Sequence, residues 1–261
     1  MTEQRLLNIQ KGYNFRDLGG YATRDGHHVQ WHRLIRSGSL ARLDNSDLST
    51  LTGIPVTIDI DLRAPEEVKI APDRVPKTAK YYHLPVFSSD ETDASHSDEE
   101  IMSRILQPGN GYQHMLEVYT RMTEVATAKA AYQKMFELLL TNAPDQATLF
   151  HCTAGKDRTG MAAYLILSAL DVPEETILQD YLLTNEATHD FRVHWLQSLR
   201  DQGVSETVVE NRRALGSVSP DYINQAIKLI NTNYGNVHNY LIEHLDLTPA
   251  DFKQLRQLYL A

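Results

Sequence analysis

A short glycine-containing loop joins an apolar strand to an apolar helix between residues 147 and 170, and this junction limits the folds open to the chain. Residues 147–151 (ATLFH) are typical of a buried strand, and residues 159–170 (TGMAAYLILSAL) are typical of a buried helix. Strands alternate with helices elsewhere, which predicts an α/β fold: one domain over residues 1–261 with a partly parallel central sheet flanked by helices. In such folds ligands bind where strands end and helices begin.

Periodicity predicts the remaining elements. Strict alternation over 56–62 (VTIDIDL) indicates a strand with Asp59 and Asp61 on one face. The serine- and acid-rich segment 88–100 is either a solvated loop or part of a mobile lid. Further strands are predicted at 28–36 and 80–86, and helices at 44–52, 112–142, 173–187, 189–201, 220–234 and from Pro249 after a Thr248 cap.

Composition excludes several classes of protein. The net charge of −9 disfavours nucleic-acid binding, although an acidic chain can still enclose a basic pocket for a small anion. Residues 1–11 lack an apolar segment, so no signal peptide is recognisable, and no run of about 18 apolar residues predicts membrane insertion. With one cysteine no internal disulfide can form. We therefore expect a monomer that is cytoplasmic, or secreted without a recognisable signal.

The loop after residue 151 carries the chemistry. The five residues between Cys152 and Arg158 can curl into a cradle whose backbone N–H groups, with the following helix N-terminus, bind a phosphate dianion. Arg158 can hold two phosphate oxygens at once. The same N–H groups favour the thiolate of Cys152, which would attack phosphorus and form a cysteinyl-phosphate.

The other loop residues have predicted roles as well. Gly155 permits a backbone turn that is closed to side chains. Thr159 can donate a hydrogen bond to the sulfur and so help it leave in the second step. The residues expected to surround the bound phosphate are Thr153, Ala154, Gly155 and Lys156.

Three other interpretations of the loop are weaker. A Walker nucleotide loop fails because Phe150 and Asp157 stand where glycine and Ser or Thr are needed. A zinc site fails because no second cysteine is present. A buried structural cysteine does not explain the flanking His, Gly, Arg and Thr. The histidines at 27, 28 and 32 are interpreted as surface residues, so we expect neither a metal nor a cofactor.

These residues resemble a known family. His-Cys-x5-Arg-Thr is similar to the signature of protein tyrosine phosphatases, and residues 154–160 resemble its bacterial and fungal tyrosine/serine branch. Residues 14–21 (NFRDLGGY), 61–63 (DLR) and the pair Tyr234-Gly235 are also similar to that branch, so the resemblance covers nearly the whole chain.

The resemblance implies a single tyrosine phosphatase-like domain with a helical lid, here residues 88–130. It implies hydrolysis of phosphotyrosine on proteins, with breadth toward phosphoserine and phosphothreonine. Lys156 also resembles the loop lysine of phosphoinositide phosphatases, so it either pairs with a second phosphate or only raises the positive potential. Two alternatives remain: a phosphoinositide phosphatase, or a catalytically silent phosphate-binding module.

Two carboxyl groups are candidates for the general acid that protonates the leaving oxygen. Asp157 lies inside the cradle and could reach that oxygen directly; its alternative role is to brace the loop. Asp61 follows a strand and could reach the substrate from the side; its alternative role is an ion pair with Arg16 or Arg63.

Overall fold

The computed structural model describes residues 4–92, 101 and 105–261, and it contains one mixed sheet of five strands in the order β1-β2-β5-β3-β4. The inner pairings of β2, β5, β3 and β4 are parallel, whereas β1 is an antiparallel edge. The predicted single α/β domain with a partly parallel sheet is therefore confirmed. The strands are β1 (Arg16–Asp17), β2 (Leu34–Ser37), β3 (Val56–Asp61), β4 (Lys80–His83) and β5 (Ala147–His151).

The helices flank this sheet. No helix of the described residues is both long and apolar enough to cross a membrane. The helices are α1 (Asn45–Gly53), α2 (Pro65–Ile70), α3 (Asn110–Glu124), α4 (Ala126–Thr141), α5 (Arg158–Ala169), α6 (Glu174–Ala187), α7 (His189–Asp201), α8 (Glu206–Gly216), α9 (Pro220–Tyr234), α10 (Val237–Asn239) and α11 (Pro249–Tyr259), with a π-helical turn at Tyr240–His244.

The central strand β5 and helix α5 form the middle of the core. Every residue of β5 is buried, and every residue of α5 except Ser168 is buried as well. Helix α5 contacts both β2 and β5 on one side and α6 on the other. This enclosure explains why both segments are apolar without a polar face. The loop between them is thereby fixed at the carboxyl edge of the sheet.

The predicted helix ends are confirmed where capping residues mark them. Asp44 caps α1, and Thr248 caps α11 through a reciprocal pair of bonds with Asp251. Gly235, at a φ of 80°, ends α9.

Two predictions of element boundaries were wrong. The strand predicted at 28–36 is present only from Leu34, because His32 takes a left-handed conformation with a φ of 63°. The helix predicted at 112–142 is two helices, separated by an extended Val125 with a ψ of 140°. Helix α8 was not predicted; only Val208, Val209, Asn211 and Arg212 of it are buried, so its sequence has a weak apolar pattern.

The predicted loop at 88–100 and lid at 88–130 fall partly outside the described residues, which omit 93–100 and 102–104. Within the described part, α3 packs against α8 and α9. The lid stays a prediction.

Asp180 of α6 connects the helical layer to the sheet. Its carboxylate accepts from Nε of Arg16 at 3.1 Å and from a terminal nitrogen of Arg36 at 2.7 Å. The hydroxyl of Tyr21 donates to the same carboxylate at 3.0 Å. Burial raises the pKa of Asp180, but the two arginines outweigh burial and lower it from 3.8 to about 2.

We predict that Asp180→Asn lowers the free energy of unfolding by about 3 kcal/mol at pH 7, because two buried guanidinium groups lose their counter-ion. Folding lowers the pKa of Asp180. Its carboxylate therefore contributes its full share to the free energy of unfolding above pH 3.8, and this share is lost as the pH falls toward 2. Urea unfolding should therefore show a smaller difference between variant and wild type at pH 3 than at pH 7.

The exposed Asp145 provides the control, since Asp145→Asn should leave the unfolding midpoint unchanged. An equal loss of stability at both pH values would contradict the role given to the ionised carboxylate.

Candidate active site

The loop between β5 and α5 is held with its carbonyl groups turned outward. The side-chain amide of Asn14 donates to the carbonyls of Ala154 at 3.1 Å and of Gly155 at 2.7 Å. A terminal nitrogen of Arg36 donates to the Gly155 carbonyl at 3.0 Å. No described residue accepts a hydrogen bond from the backbone N–H groups of 153–157. The loop therefore offers a set of free backbone donors at a helix N-terminus, which is an arrangement suited to an oxyanion.

Gly155 is required at its position for two reasons. Its φ of +66° lies in the left-handed region, and a Cβ atom there would collide with the backbone carbonyl of Ser37. The loop consequently packs directly on the end of β2.

The conspicuous N-terminal motif at 14–21 is the outer support of this loop. Asn14 has a left-handed backbone with a φ of 62°, and its side-chain oxygen accepts from Arg16. Arg16 is in turn bound to Asp180. Asn14 and Arg16 thus connect the loop to the ion pairs of Asp180. These contacts require the amide of Asn14 and the guanidinium of Arg16.

Cys152 lies at the base of a cavity of about 230 Å³. The thiol residue is only 2% exposed, and it directly follows the last residue of β5. The predicted site residues Cys152, Ala154, Lys156, Asp157 and Arg158 all line this cavity. Thr153 and Gly155 belong to the same loop, and the structure brings them together with the others.

Thr159 is fully buried in the first turn of α5. Its hydroxyl has no hydrogen-bond partner among the described residues, so no bond to the sulfur of Cys152 is present in this state. The predicted donation to the leaving thiolate stays a prediction.

Arg158 is bound by a carboxylate that sequence reasoning missed. Its two terminal nitrogens donate to the two oxygens of Glu67, at 2.5 and 2.8 Å. Burial opposes the charge of Arg158, but Glu67 outweighs burial and raises the pKa of the guanidinium above its ordinary value. Nε of Arg158 is buried without a partner among the described residues, and the second terminal nitrogen also donates to Thr92 at 2.9 Å. Glu67 does not cover the Nε edge of Arg158, and a phosphate that binds this edge would take the place of Thr92 there.

Glu67 also supports the loop from a second direction. It lies in the first turn of α2, where one oxygen accepts from the backbone N–H of Ala64 at 2.7 Å, and it accepts from the hydroxyl of Thr153. In the sequence, Glu67 is the third residue of a helix that starts at Pro65. An acidic residue at this position is common because it caps the helix N-terminus, so it does not indicate a contact with Arg158.

Asp157 has both carboxylate oxygens engaged. The hydroxyl of Tyr119 donates to Oδ1 at 3.1 Å, and the ammonium of Lys156 lies 2.6 Å from Oδ2. Although Asp157 precedes α5, its side chain makes no capping bond to the helix. The carboxyl is therefore directed at the cavity and its wall rather than at the helix end.

The structure places Asp61 apart from the other predicted site residues. Arg63 binds both of its oxygens, at 2.9 and 2.6 Å, and the hydroxyl of Tyr81 donates to it at 2.9 Å. Burial raises the pKa of Asp61, but His151 and Arg63 outweigh burial and hold it below its ordinary value. Asp61 is fully buried and does not line the cavity. The ion pair with Arg63 is thus the alternative that the structure contains.

His151, just before the nucleophile, belongs to this buried charge cluster. Its Nε2 lies 3.3 Å from Asp73 and 3.4 Å from Asp59, and its Nδ1 lies 3.3 Å from the carbonyl of Cys152. Burial lowers the pKa of His151, but the charges of Asp61 and Asp73 outweigh burial and raise it well above 6.5. His151 thus belongs to the buried charge cluster, and its contact with the carbonyl of Cys152 connects this cluster to the end of the strand.

Ligand atoms of Asp61, Asp73 and His151 lie close enough together to suggest a metal site. However, a terminal nitrogen of Arg63 bonds to both carboxylates at once. The guanidinium of Arg63 thus lies against both carboxylates, and these groups form an ion-pair network.

Aromatic side chains line part of the cavity, and no sequence motif predicted them. Tyr13 and Phe191 stack with ring centroids 5.7 Å apart and planes 6° apart, and Trp195 lies on the same side. Tyr13 is fixed by its hydroxyl, which donates to the carbonyl of Thr153 at 3.2 Å. Phe191 and Trp195 come from α7, about 40 residues after the loop, and at that distance no local pattern connects them to it.

A family model described as "Tyrosine phosphatase family" matches residues 7–261. The chain belongs to the tyrosine phosphatase family. A Cupriavidus necator protein, named provisionally as a tyrosine-protein phosphatase, is 33% identical over 95% of this chain and 86% of its own length. The Mycobacterium tuberculosis protein named triple specificity protein phosphatase PtpB is 31% identical over 90% of this chain and 92% of its own length. The predicted bacterial branch is therefore confirmed.

We predict that Glu67→Gln lowers kcat/KM for an aryl phosphate by about 100-fold, because a misoriented Arg158 no longer matches the phosphate. The amide keeps the size of Glu67 but presents an NH₂ group to the guanidinium. Steady-state kinetics measures the change, and circular dichroism checks that the variant is folded.

Glu137→Gln is the matched control, since Glu137 is exposed and, among the described residues, bonds only to Lys134. If the Glu67 variant kept wild-type kcat/KM, Arg158 would not depend on this ion pair.

Proposed function

We propose that this enzyme hydrolyses phosphotyrosine on proteins, with breadth toward phosphoserine and phosphothreonine, through a cysteinyl-phosphate on Cys152. One observation carries the proposal. Cys152 lies at the base of a cavity whose loop turns its carbonyls outward, leaves its N–H groups free, and ends in Arg158. Such a set of donors matches the three non-bridging oxygens of a phosphate monoester.

The first step is attack of the Cys152 thiolate on phosphorus. As the sulfur–phosphorus bond forms, the bond from phosphorus to the ester oxygen breaks, and its electron pair stays on that oxygen. Asp157, in the cavity wall beside Arg158, then supplies the proton that the leaving oxygen needs. Arg158 and the backbone donors bind the three equatorial oxygens while charge redistributes among them.

The second step regenerates the thiolate. A water attacks the phosphorus of the cysteinyl-phosphate, the sulfur–phosphorus bond breaks, and the electron pair returns to sulfur. Asp157, now ionised, is placed to accept a proton from that water. The unpartnered hydroxyl of Thr159 can donate to the developing thiolate. No metal is needed for either step, because the loop donors and Arg158 supply the charge stabilisation.

The aromatic wall favours an aryl ester as substrate. The stacked rings of Tyr13 and Phe191 and the indole of Trp195 line the same cavity as residues of the phosphate-binding loop. A phosphotyrosine ring entering the cavity would pack against these side chains, whereas a serine phosphate has no ring to offer. The name of the M. tuberculosis relative, triple specificity protein phosphatase, supports breadth beyond tyrosine.

A phosphoinositide substrate has less support. Lys156, the residue that suggested it, has its ammonium 2.6 Å from the carboxylate of Asp157 and is only 7% exposed. In that position it contributes to the potential inside the cavity rather than reaching toward a second phosphate on a ring. We therefore retain the protein substrate.

We predict that the wild-type enzyme hydrolyses a phosphotyrosine peptide without added metal. Phe191→Ala should raise KM for that peptide about fivefold, which corresponds to the binding free energy lost with one aromatic contact. KM for a matched phosphoserine peptide should change little, since that substrate lacks the ring. Phosphate release from both peptides and from soluble inositol phosphates measures the preference.

Val193→Ala on the same helix is the control, because Val193 is exposed and does not line the cavity. Faster turnover of inositol phosphates than of either peptide would overturn the proposed substrate. If the wild type hydrolysed none of these esters, the proposed enzyme activity would be wrong, and the protein would be a catalytically silent phosphate-binding module.

A further inference from the structure

The hydroxyl groups of two tyrosines on the helices form a chain of hydrogen bonds that ends at the carboxyl group of Asp157. Tyr119 on α3 has its hydroxyl 3.1 Å from Asp157 Oδ1, and the hydroxyl oxygens of Tyr119 and Tyr181 are 2.7 Å apart. Tyr119 is fully buried and Tyr181, on α6, is 1% exposed. Neither residue lines the cavity of Cys152. They lie behind Asp157, on the side away from the substrate.

The direction of these two bonds follows from the charges. Tyr119 has one proton to donate, and a carboxylate is a stronger acceptor than a phenol oxygen. Tyr119 therefore donates to Asp157, and Tyr181 donates to Tyr119. Burial first, and then the charge of Asp157, raise the pKa of Tyr119 well above 10.0, so the donor keeps its proton at every working pH.

The rings of Tyr119 and Tyr181 are held in place by contacts with their neighbours. The ring of Tyr119 meets that of Tyr181 edge to face at a centroid distance of 6.3 Å, and that of Tyr222 at 6.0 Å. Tyr181 also lies against Gly160 in the first turn of α5, where an added Cβ would be 3.1 Å from its ring. These contacts restrict the position of the Tyr119 hydroxyl relative to the loop.

The two oxygens of Asp157 consequently differ. Oδ1 is bound from behind by Tyr119, whereas Oδ2 is bound by Lys156, which lines the cavity with Asp157. A phosphate dianion entering the cavity competes with Oδ2 for the Lys156 ammonium. Oδ2 is then the oxygen that faces the substrate and can carry a transferable proton.

We propose that Tyr119 is a positioning residue for proton transfer: it orients Asp157 by binding Oδ1 and stabilises the carboxylate that remains after Oδ2 has protonated the leaving oxygen. The inference rests on the proposed function. In the step itself, the bond from phosphorus to the leaving oxygen breaks, its electron pair stays on that oxygen, and the proton moves there from Oδ2. Tyr119 keeps its own proton and strengthens its bond to Oδ1 as negative charge develops. Tyr181 supports this by donating to Tyr119.

The test is the dependence of kcat/KM on the leaving group, because kcat/KM covers the first chemical step in which the proton is transferred. A series of aryl phosphates from activated nitrophenyl esters to phenyl phosphate is measured with wild type and Tyr119→Phe. We expect Tyr119→Phe to lower kcat/KM about tenfold for phenyl phosphate, a part of the full effect of a general acid. The nitrophenyl esters, whose leaving groups need little protonation, should change less than twofold.

Two further variants complete the experiment. Tyr240→Phe is the control, since this buried hydroxyl has no partner among the described residues, and it should leave the series unchanged. Tyr181→Phe removes only the second hydroxyl and keeps the bond from Tyr119 to Asp157, so we expect a smaller effect in the same direction. If Tyr119→Phe does not fold, the leaving-group series measured with Tyr181→Phe still tests the inference.

The outcomes separate the two proposals. A steeper leaving-group dependence in the tyrosine variants supports the positioning role. An equal loss for all esters would mean that Tyr119 only supports the fold, and no loss would mean that Asp157 does not need it; either result overturns the inference while the wild type remains active. A wild type inactive on every ester would overturn the proposed function itself.

Discussion

Two buried carboxylates, Asp180 and Glu67, hold the arginines that shape the phosphate-binding loop, and the site depends on these ion pairs. Asp180 binds Arg16 and Arg36, and Arg36 in turn holds a loop carbonyl outward. Glu67 binds Arg158. Removing one partner of such a pair leaves an uncompensated charge in the interior, which costs about 3–5 kcal/mol. The loop can therefore keep its donors free only while both carboxylates are in place.

This pairing has a consequence for the charge of the cavity. Arg158 is balanced by Glu67, and Lys156 lies against Asp157, while Arg192 adds a further positive charge to the cavity lining. The free N–H groups and the N-terminus of α5 supply the remaining attraction for a dianion. A protein with a net charge of −9 can thus bind an anion without a broad basic surface.

The sequence was sufficient for features with a local pattern. The strand, loop and helix at 147–170 are contiguous, so spacing alone indicated the nucleophile, the arginine and the turn at Gly155. Glu67, Tyr119 and Phe191 could not be found in this way, because they reach the loop from separate elements and their own neighbours do not indicate the contact. Alternation along β3 correctly put Asp61 on a polar face, but periodicity does not identify the partner on that face, which is Arg63.

The mechanism proceeds through a sulfur–phosphorus bond on Cys152, and this bond can be trapped. The enzyme is mixed with a ³²P-labelled phosphotyrosine peptide, quenched in acid within milliseconds, digested and mapped. We expect label on the peptide that contains Cys152 in the wild type, and neither label nor hydrolysis in Cys152→Ser. Label on another residue, or continued hydrolysis by Cys152→Ser, would contradict it.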